Sequence, residues 1–469
     1  MKNAHLTSNK MKHQRKTRLF LYLIFISFLS IKIFHLIYQQ GISWDSAVYI
    51  EMGKYIFSAG KLGLWESSRP LIWPTFLGTI WKLGLNPIIS GRILELTFSL
   101  GLIHLTFIVG KEVFNEKIAL LSAFFLAFSQ TFLSYSSTIL TAIPSTFFAL
   151  LSVYFLIKNK YSLSGLFIGI SFMTRFLQLF ILIPIVLILL YFKKLNLKKL
   201  IKLSYGSAIV VIPCLIINYI LYQNPLHPFL LQTLLTKYTG WIYHQPFQFY
   251  FINLFKENFL VLFSLVGLFY IFKEKNNKQW IITSIFITFF LFFTSTAHKE
   301  MRFTLVFLPY LYLITSFGLV ISLKNLKSKR ASLFLLISLI LLWSAQSISQ
   351  TAALNYAEPL NLNNYLKDEN IKGNIWITSP LQLVNTNKKA DELIYYPLYN
   401  SEKIDQLIPK LSSADHILID TCDILPCPPD DLQCTEKTTQ LLDSIKEKFN
   451  LVYNKKENNC EKFIFSSSS

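Results

Sequence analysis

Two uncharged apolar runs, Ile281 to Ala297 and Thr304 to Leu323, lie on either side of the hexapeptide His298-Lys299-Glu300-Met301-Arg302-Phe303. Runs of this kind recur along the chain and restrict its fold more than any other feature. A helix of about 20 apolar residues crosses a bilayer, and a helix satisfies its own backbone amides where no water can. Composition agrees, with 52% of the 469 residues hydrophobic and 15% charged, which excludes an ordinary soluble domain. The chain is therefore expected to be an α-helical polytopic membrane protein. The four ionisable residues of the hexapeptide are the anomaly. Charge beside two spans is costly unless solvated or paired, so it marks either a functional site or a solvated turn with snorkelling basic side chains.

Eleven spans are expected: Leu19 to Tyr38, Arg92 to Gly110, Ile118 to Tyr135, Ser137 to Ile157, Leu163 to Thr174, Phe176 to Phe192, Leu203 to Tyr222, Phe259 to Phe272, Trp280 to Thr296, Phe303 to Leu323 and Ala331 to Gln350. The net charge of +19 is unevenly spread. Residues 1 to 350 hold 33 Lys and Arg against 9 acids, and residues 351 to 469 hold 12 against 17. The basic excess thus belongs to the membrane part, and no nucleic-acid partner is expected. Basic clusters precede the first span and follow the even ones, which makes those ends and the N-terminus cytoplasmic. The first span reads as a retained anchor. An odd number of spans then puts residues 351 to 469, the loop 40 to 90 and the hexapeptide on the extracytoplasmic side of a plasma or ER-type membrane.

The first outer loop holds Asp45, Glu51 and Glu66, three of the nine acids in residues 1 to 350, followed by Arg69 and Pro70. Val48, Tyr49, Met52, Tyr55 and Ile56 recur at helical spacing and predict an amphipathic interfacial helix beginning near Asp45. Taken alone, Asp45 reads as its N-cap. Arg175 either sets span geometry or serves a site, Glu95 and His104 read as packing, and Lys32 and His35 read as snorkelling side chains. The aromatic loop from Tyr222 to Phe251, with His227, Trp241, Tyr243 and His244, reads as an acceptor or lipid groove or as interfacial anchoring. No phosphate-binding glycine loop and no His/Cys metal cluster appears in the membrane part. No cofactor is expected; a divalent ion at Asp45 and Glu51 is the alternative.

Together the loop Asp45, the Trp65-Glu66 followed by Arg69 and Pro70, and the His-Lys-Glu-x-Arg-Phe motif with Pro309 beyond it resemble the GT-C superfamily of polyprenyl-phosphate-sugar glycosyltransferases. The motif most resembles the mannosyltransferases of N-glycan and glycosylphosphatidylinositol assembly. The topology resembles the protein O-mannosyltransferase and aminoarabinose-transferase branch. The likeness covers residues 1 to 350. Many relatives have Asp-Glu after the first span where this chain has Asp45-Ser46, which leaves the second acidic role unfilled or moves it to Glu51 or Glu66. The resemblance implies transfer of a hexose, mannose foremost, from a polyprenyl or dolichyl phosphate to a glycan, lipid or protein acceptor by one inverting displacement. Asp45 would be the base. His298, Lys299, Arg302 and Arg69 would hold the donor phosphate, with Glu300 orienting the cations and Glu51, Glu66 and Arg175 in support. The alternative is a transporter or flippase of lipid-linked sugars, which predicts internal repeats that the chain lacks.

From residue 351 a soluble domain of the α/β type is expected. Strands are predicted at Ile375 to Thr378, His416 to Ile419 and Phe463 to Phe465, helices at Glu402 to Leu411 and Glu436 to Phe449, and a disordered tail at Ser466 to Ser469. Cys422, Cys427, Cys434 and Cys460 are disulfide candidates with three full pairings open, and Cys214 lies in the seventh span.

Overall fold

The computed structural model describes residues 2–38, 41–194, 196–324, 328–350, 365–368, 371–394, 401–424, 427, 431–457 and 460–467. The boundary expected at residue 350 is not where the chain divides. One compact unit comprises Met1–Gln39, Arg92–Pro225 and Tyr243–Leu354, and the other Gln40–Gly91, Leu226–Ile242 and Asn355–Ser469. The first loop thus belongs with the C-terminal residues.

The first unit is helical. Among the described residues, four helices are long and apolar enough to cross a membrane: Arg15–Ile37, Pro87–Val113, Leu197–Tyr222 and Asn277–Ser295. The fourth, fifth and tenth expected spans are the shorter helices Ala142–Ile157, Tyr161–Thr174 and Leu308–Lys324, and the eleventh falls on the helix Lys329–Gln350. The third divides into Glu116–Ala127 and Gln130–Tyr135, and the sixth and eighth each begin with a 3-10 turn, Phe176–Ile181 and Phe259–Leu262. Buried carboxylates stabilise the break in the third span and the turn that follows that span. Glu257 accepts from Ser129 Oγ, from Thr131 Oγ1 at 2.6 Å and from Thr131 N at 3.1 Å, and so serves the start of Gln130–Tyr135. Glu95 accepts from Ile139 N and from Leu140 N at 3.1 Å, ahead of the helix Ala142–Ile157. Glu257 does the work of a helix cap, and Glu95 supplies acceptors to amides of the turn that leads into Ala142–Ile157. Lys32 is buried and donates to Leu133 O at 2.8 Å, so it is a packed donor and not a snorkelling one. Glycine permits the closest helix approach: a Cβ at Gly165 would lie 1.9 Å from Leu203 O, and one at Gly206 would lie 2.0 Å from Ser162 O.

The second unit contains the helices Trp44–Phe57, Ile72–Lys82 and His227–Thr239 and a five-stranded sheet. The strands are β1 (Ile375–Ile377), β2 (Glu392–Leu393), β3 (His416–Asp420), β4 (Phe449–Glu457) and β5 (Cys460–Ser467), in the order β2-β1-β3-β5-β4. β1 is parallel to β2 and β3, whereas β5 is antiparallel to β3 and β4. Successive strand side chains face opposite ways, and the sequence exploits this on both faces. Ile375, Ile377, Leu418 and Ile464 form one core with Val48, Met52 and Leu64 of the first loop. Trp376, Ile417, Ile419 and Phe465 form another with Ile404, Leu407, Leu441 and Ile445 of the helices Ser401–Lys410 and Leu432–Lys448. The predicted strands and helices are therefore present, β2 and β4 are additions, and Ser466 and Ser467 belong to β5 rather than to a tail. Ser468 and Ser469 lie outside the described residues.

The cysteine pairing is now determined. Cys422 joins Cys460, tying the end of β3 to β5, and Cys427 joins Cys434, while Cys214 is free and buried in Leu197–Tyr222. Asp420 lies near the first pair, but both sulfurs there are spent on each other and do not serve as metal ligands.

Candidate active site

In the second unit, Ser43 caps the helix Trp44–Phe57, its hydroxyl accepting from Ser46 N at 3.3 Å. Asp45 is therefore in the first turn without being the cap. Its Oδ1 instead accepts from Arg69 Nη2 at 2.8 Å. Arg69 Nε donates to Glu66 Oε1 at 3.0 Å and Nη1 to the Tyr49 hydroxyl at 3.4 Å, and Ser68 Oγ donates to Glu66 Oε1 at 2.5 Å. The guanidinium lies 5.5 Å from the Tyr49 ring centre and 6.0 Å from that of Trp44, within cation–π range. One cation is thus fixed between two carboxylates and two rings. The Arg69 and Asp45 side chains keep 18% and 19% exposure, so the pair is ordered by packing yet reachable by a ligand.

Glu51 has a different role. It is completely buried, 2.8 Å from Lys54 Nζ, and Lys54 also donates to Thr386 O at 3.3 Å. Burial raises the Glu51 pKa, with Lys54 acting in the opposite sense. Of the two replacements offered for the missing second acid, Glu66 shares Arg69 with Asp45, and Glu51 does not. The two acids offered for a divalent ion each face a cation of the protein, Asp45 facing Arg69 and Glu51 facing Lys54. The helix expected to be amphipathic is buried from Ser46 to Lys54, since Ile72–Lys82 covers it on one side. Gly53 and Gly78 make that packing close enough that a Cβ on Gly53 would lie 2.6 Å from Gly78 N.

In the first unit, the hexapeptide forms an extended segment running into a 3-10 turn, Met301–Val306. Glu300 is its hub. Its Oε1 lies 2.7 Å from His298 Nε2 and accepts from Arg302 Nη2 at 2.9 Å, and its Oε2 lies 2.8 Å from Arg302 Nε. Burial acts to raise the Glu300 pKa, but the His298 contact and the Arg302 charge outweigh it and the net shift is downward. The sequence expectation that Glu300 orients the cations fits this geometry. Arg302 and Arg175 both lie over the Phe303 ring, at 5.7 and 5.5 Å, which brings Arg175 to the motif.

Lys299 departs from expectation. Its ammonium donates to Gln245 O at 2.8 Å and to Thr296 O at 2.5 Å, the residue is 6% exposed, and burial lowers its pKa. It is a staple for the turn, because two of its three donors are committed to backbone carbonyls. Arg69 serves the carboxylates of its own unit. Sequence reasoning missed what holds the hexapeptide in place. His244 and His298 form an antiparallel bridge, Lys299 N donates to Tyr243 O at 3.2 Å and Gln245 N to Ala297 O at 3.2 Å. The Tyr243 ring stacks on His298 at 4.5 Å and 15°, and the Tyr250 hydroxyl donates to Glu300 O at 3.2 Å. The aromatic character of residues 243–250 was the one signal available.

Residues 68–218 match the family model for dolichyl-phosphate-mannose-protein mannosyltransferase. No curated protein matches the chain by sequence. Among solved structures, ArnT from Cupriavidus metallidurans bound to undecaprenyl phosphate is similar with a TM-score of 0.64 at 10% identity, covering 96% of this chain and 98% of that one. AglB, an oligosaccharyltransferase from Archaeoglobus fulgidus in complex with an inhibitory peptide and a dolichol phosphate, gives 0.62 at 11%, with 97% and 75% covered. The arabinofuranosyltransferase AftD from Mycobacteria gives 0.55 at 13%, with 96% and 40% covered. All belong to the GT-C glycosyltransferase superfamily.

Proposed function

We propose that this chain, a membrane glycosyltransferase of the GT-C superfamily, moves a hexose, mannose foremost, from a polyprenyl or dolichyl phosphate to an acceptor hydroxyl on the extracytoplasmic face. The observation that carries the donor assignment is the turn in which Glu300 fixes Arg302 and His298, with Arg175 over the same Phe303 ring. A planar guanidinium held this way presents its remaining donors in the fork geometry that suits a phosphodiester. The undecaprenyl phosphate and dolichol phosphate bound to ArnT and AglB support a lipid-phosphate donor, and the matched family description supports mannose. The same relatives favour transfer over the transport alternative.

In one inverting displacement the acceptor oxygen attacks the anomeric carbon. The bond from that carbon to the phosphate oxygen breaks, and the electron pair leaves with the phosphate. The acceptor proton passes to Asp45, whose carboxylate Arg69 orients. Arg302 and His298 stabilise the departing phosphate. Lys299 is assigned no contact with donor, since its ammonium holds the turn.

Asp45→Asn keeps the size of the side chain and removes the base. Turnover with polyprenyl-phosphate mannose should fall by about 10²- to 10⁴-fold, the usual worth of general-base catalysis, with donor affinity retained. Turnover near the wild-type rate would refute the role of Asp45. Parallel reactions with polyprenyl-phosphate glucose and arabinose identify the sugar.

A further inference from the structure

Gly63, at φ +77°, donates to Lys388 O and its own carbonyl accepts from Ala390 N, both at 2.9 Å. A side chain there would strike Glu51 O at 2.2 Å. This bridge lays Leu64-Trp65-Glu66 alongside Lys389-Ala390-Asp391. A cavity of about 260 Å³ opens between them, within the second unit.

Its lining has two characters. Tyr55 and Trp65 contribute rings 5.5 Å apart and tilted by 37°, and Leu231 and Leu235 add aliphatic surface. Glu66, Ser67, Lys389 and Asp391 contribute hydrogen-bonding groups. Asp391 is rigid, with one oxygen accepting from Ile375 N at 3.0 Å and the other 2.9 Å from Lys389 Nζ. Glu66 also receives Arg69 Nε, and Arg69 holds Asp45. The cavity is therefore joined to the assigned base through one carboxylate and one guanidinium.

We propose that this cavity is the acceptor subsite and that it takes a single sugar ring, so the hydroxyl that receives the transferred hexose belongs to a carbohydrate. This rests on the transferase reading above and names its acceptor class. A pyranose has an apolar C–H face, which suits the Tyr55 and Trp65 rings, and a hydroxyl edge, which suits Asp391, Lys389 and Ser67. The volume is below the roughly 300–1,000 Å³ typical of sites for drug-sized ligands, which fits one ring and not an oligosaccharide. A lipid tail would place hydrocarbon against the Asp391–Lys389 ion pair and the Glu66 carboxylate and return no hydrogen bond to them. A peptide adding to the sheet edge finds the main chain leading into β2 already bonded to Gly63.

Saturation-transfer NMR on the full chain in nanodiscs, with methyl α-D-mannopyranoside as the probe, tests this directly. The wild type should bind saturably. Trp65→Ala should weaken binding by about ten-fold, the upper worth of an aromatic contact, and Trp65→Phe should recover part of it. Lys389→Ala, at a side chain 40% exposed and tolerant of truncation, should weaken it by about three-fold. Absence of binding, or equal binding by Trp65→Ala and Lys389→Ala, overturns the proposal. So does transfer to a sugar-free Ser/Thr peptide with a kcat/KM equal to that for the glycoside. Specific binding without transfer from any lipid-phosphate donor would support the subsite and sink the donor reading instead.

Discussion

Replacing Arg302 by lysine keeps the charge and removes the fork. In the native turn, Nε and Nη2 of Arg302 meet the two oxygens of Glu300 at 2.8 and 2.9 Å, and the guanidinium stacks over Phe303. Lysine can retain one of these contacts. A hydrogen bond between charged groups contributes about 1.5–3 kcal/mol. The Arg302 and Glu300 side chains are each 24% exposed, so solvent screening reduces the lost contact to about 1–1.5 kcal/mol. The lost stacking adds about 0.5 kcal/mol. The sum, about 1.5–2 kcal/mol, corresponds to roughly 10- to 30-fold weaker donor binding. Acceptor KM should stay within about two-fold, because the residue acts on phosphate. Arg302→Ala removes both contacts and the charge, and should weaken donor binding by about 100-fold or more. Titration with polyprenyl-phosphate mannose, alongside acceptor kinetics, measures both quantities. Donor affinity in Arg302→Lys equal to wild type would show that a point charge suffices, and equal changes in donor and acceptor parameters would remove Arg302 from the donor site.

The Glu51–Lys54 pair should behave as a buried ion pair. Glu51→Leu alone strands Lys54 and should cost about 3–5 kcal/mol, while Glu51→Leu with Lys54→Met should recover most of that; thermal melts of the four proteins in a double-mutant cycle decide it, and additive losses would refute it. Glu300 gives a pH-dependent counterpart. Its folded pKa is depressed, so the stability it contributes is present above its ordinary value of 4.5 and is lost as pH falls below that toward the folded value. The difference in melting temperature between wild type and Glu300→Gln should therefore be largest near neutrality and shrink below about pH 4.5, and a difference constant with pH would exclude the ionic contribution.

The hexapeptide shows where sequence reading succeeds. Glu300, His298 and Arg302 are neighbours in the chain, so the pairing of one acid with flanking cations could be read from their order. The placement of Lys299 was not legible because its partners are backbone carbonyls, and carbonyls leave no trace in residue identity. Tyr243 and Arg175 come from distant segments, and only packing brings them to the turn. Asp45 showed the opposite difficulty: several residues near a helix start can cap it, and Ser43 took that role. The strands of the sheet were legible from apolar alternation, whereas β4 was missed because Asn450, Asn454 and Lys455 disguise it. The broken third span was missed because Glu257, which stabilises the break, lies 126 to 128 residues further along the chain.

That separation has a consequence for how the protein is made. Glu95 lies on a helix made 44 residues before Ile139, whose amide it accepts from, and the Ser129 hydroxyl is synthesised 128 residues before the carboxylate of Glu257. During translation each group is a polar side chain without its partner. Until that partner is made, burying such a group in the bilayer costs free energy. These two contacts of the finished fold can close only once residues 139 and 257, respectively, have been made.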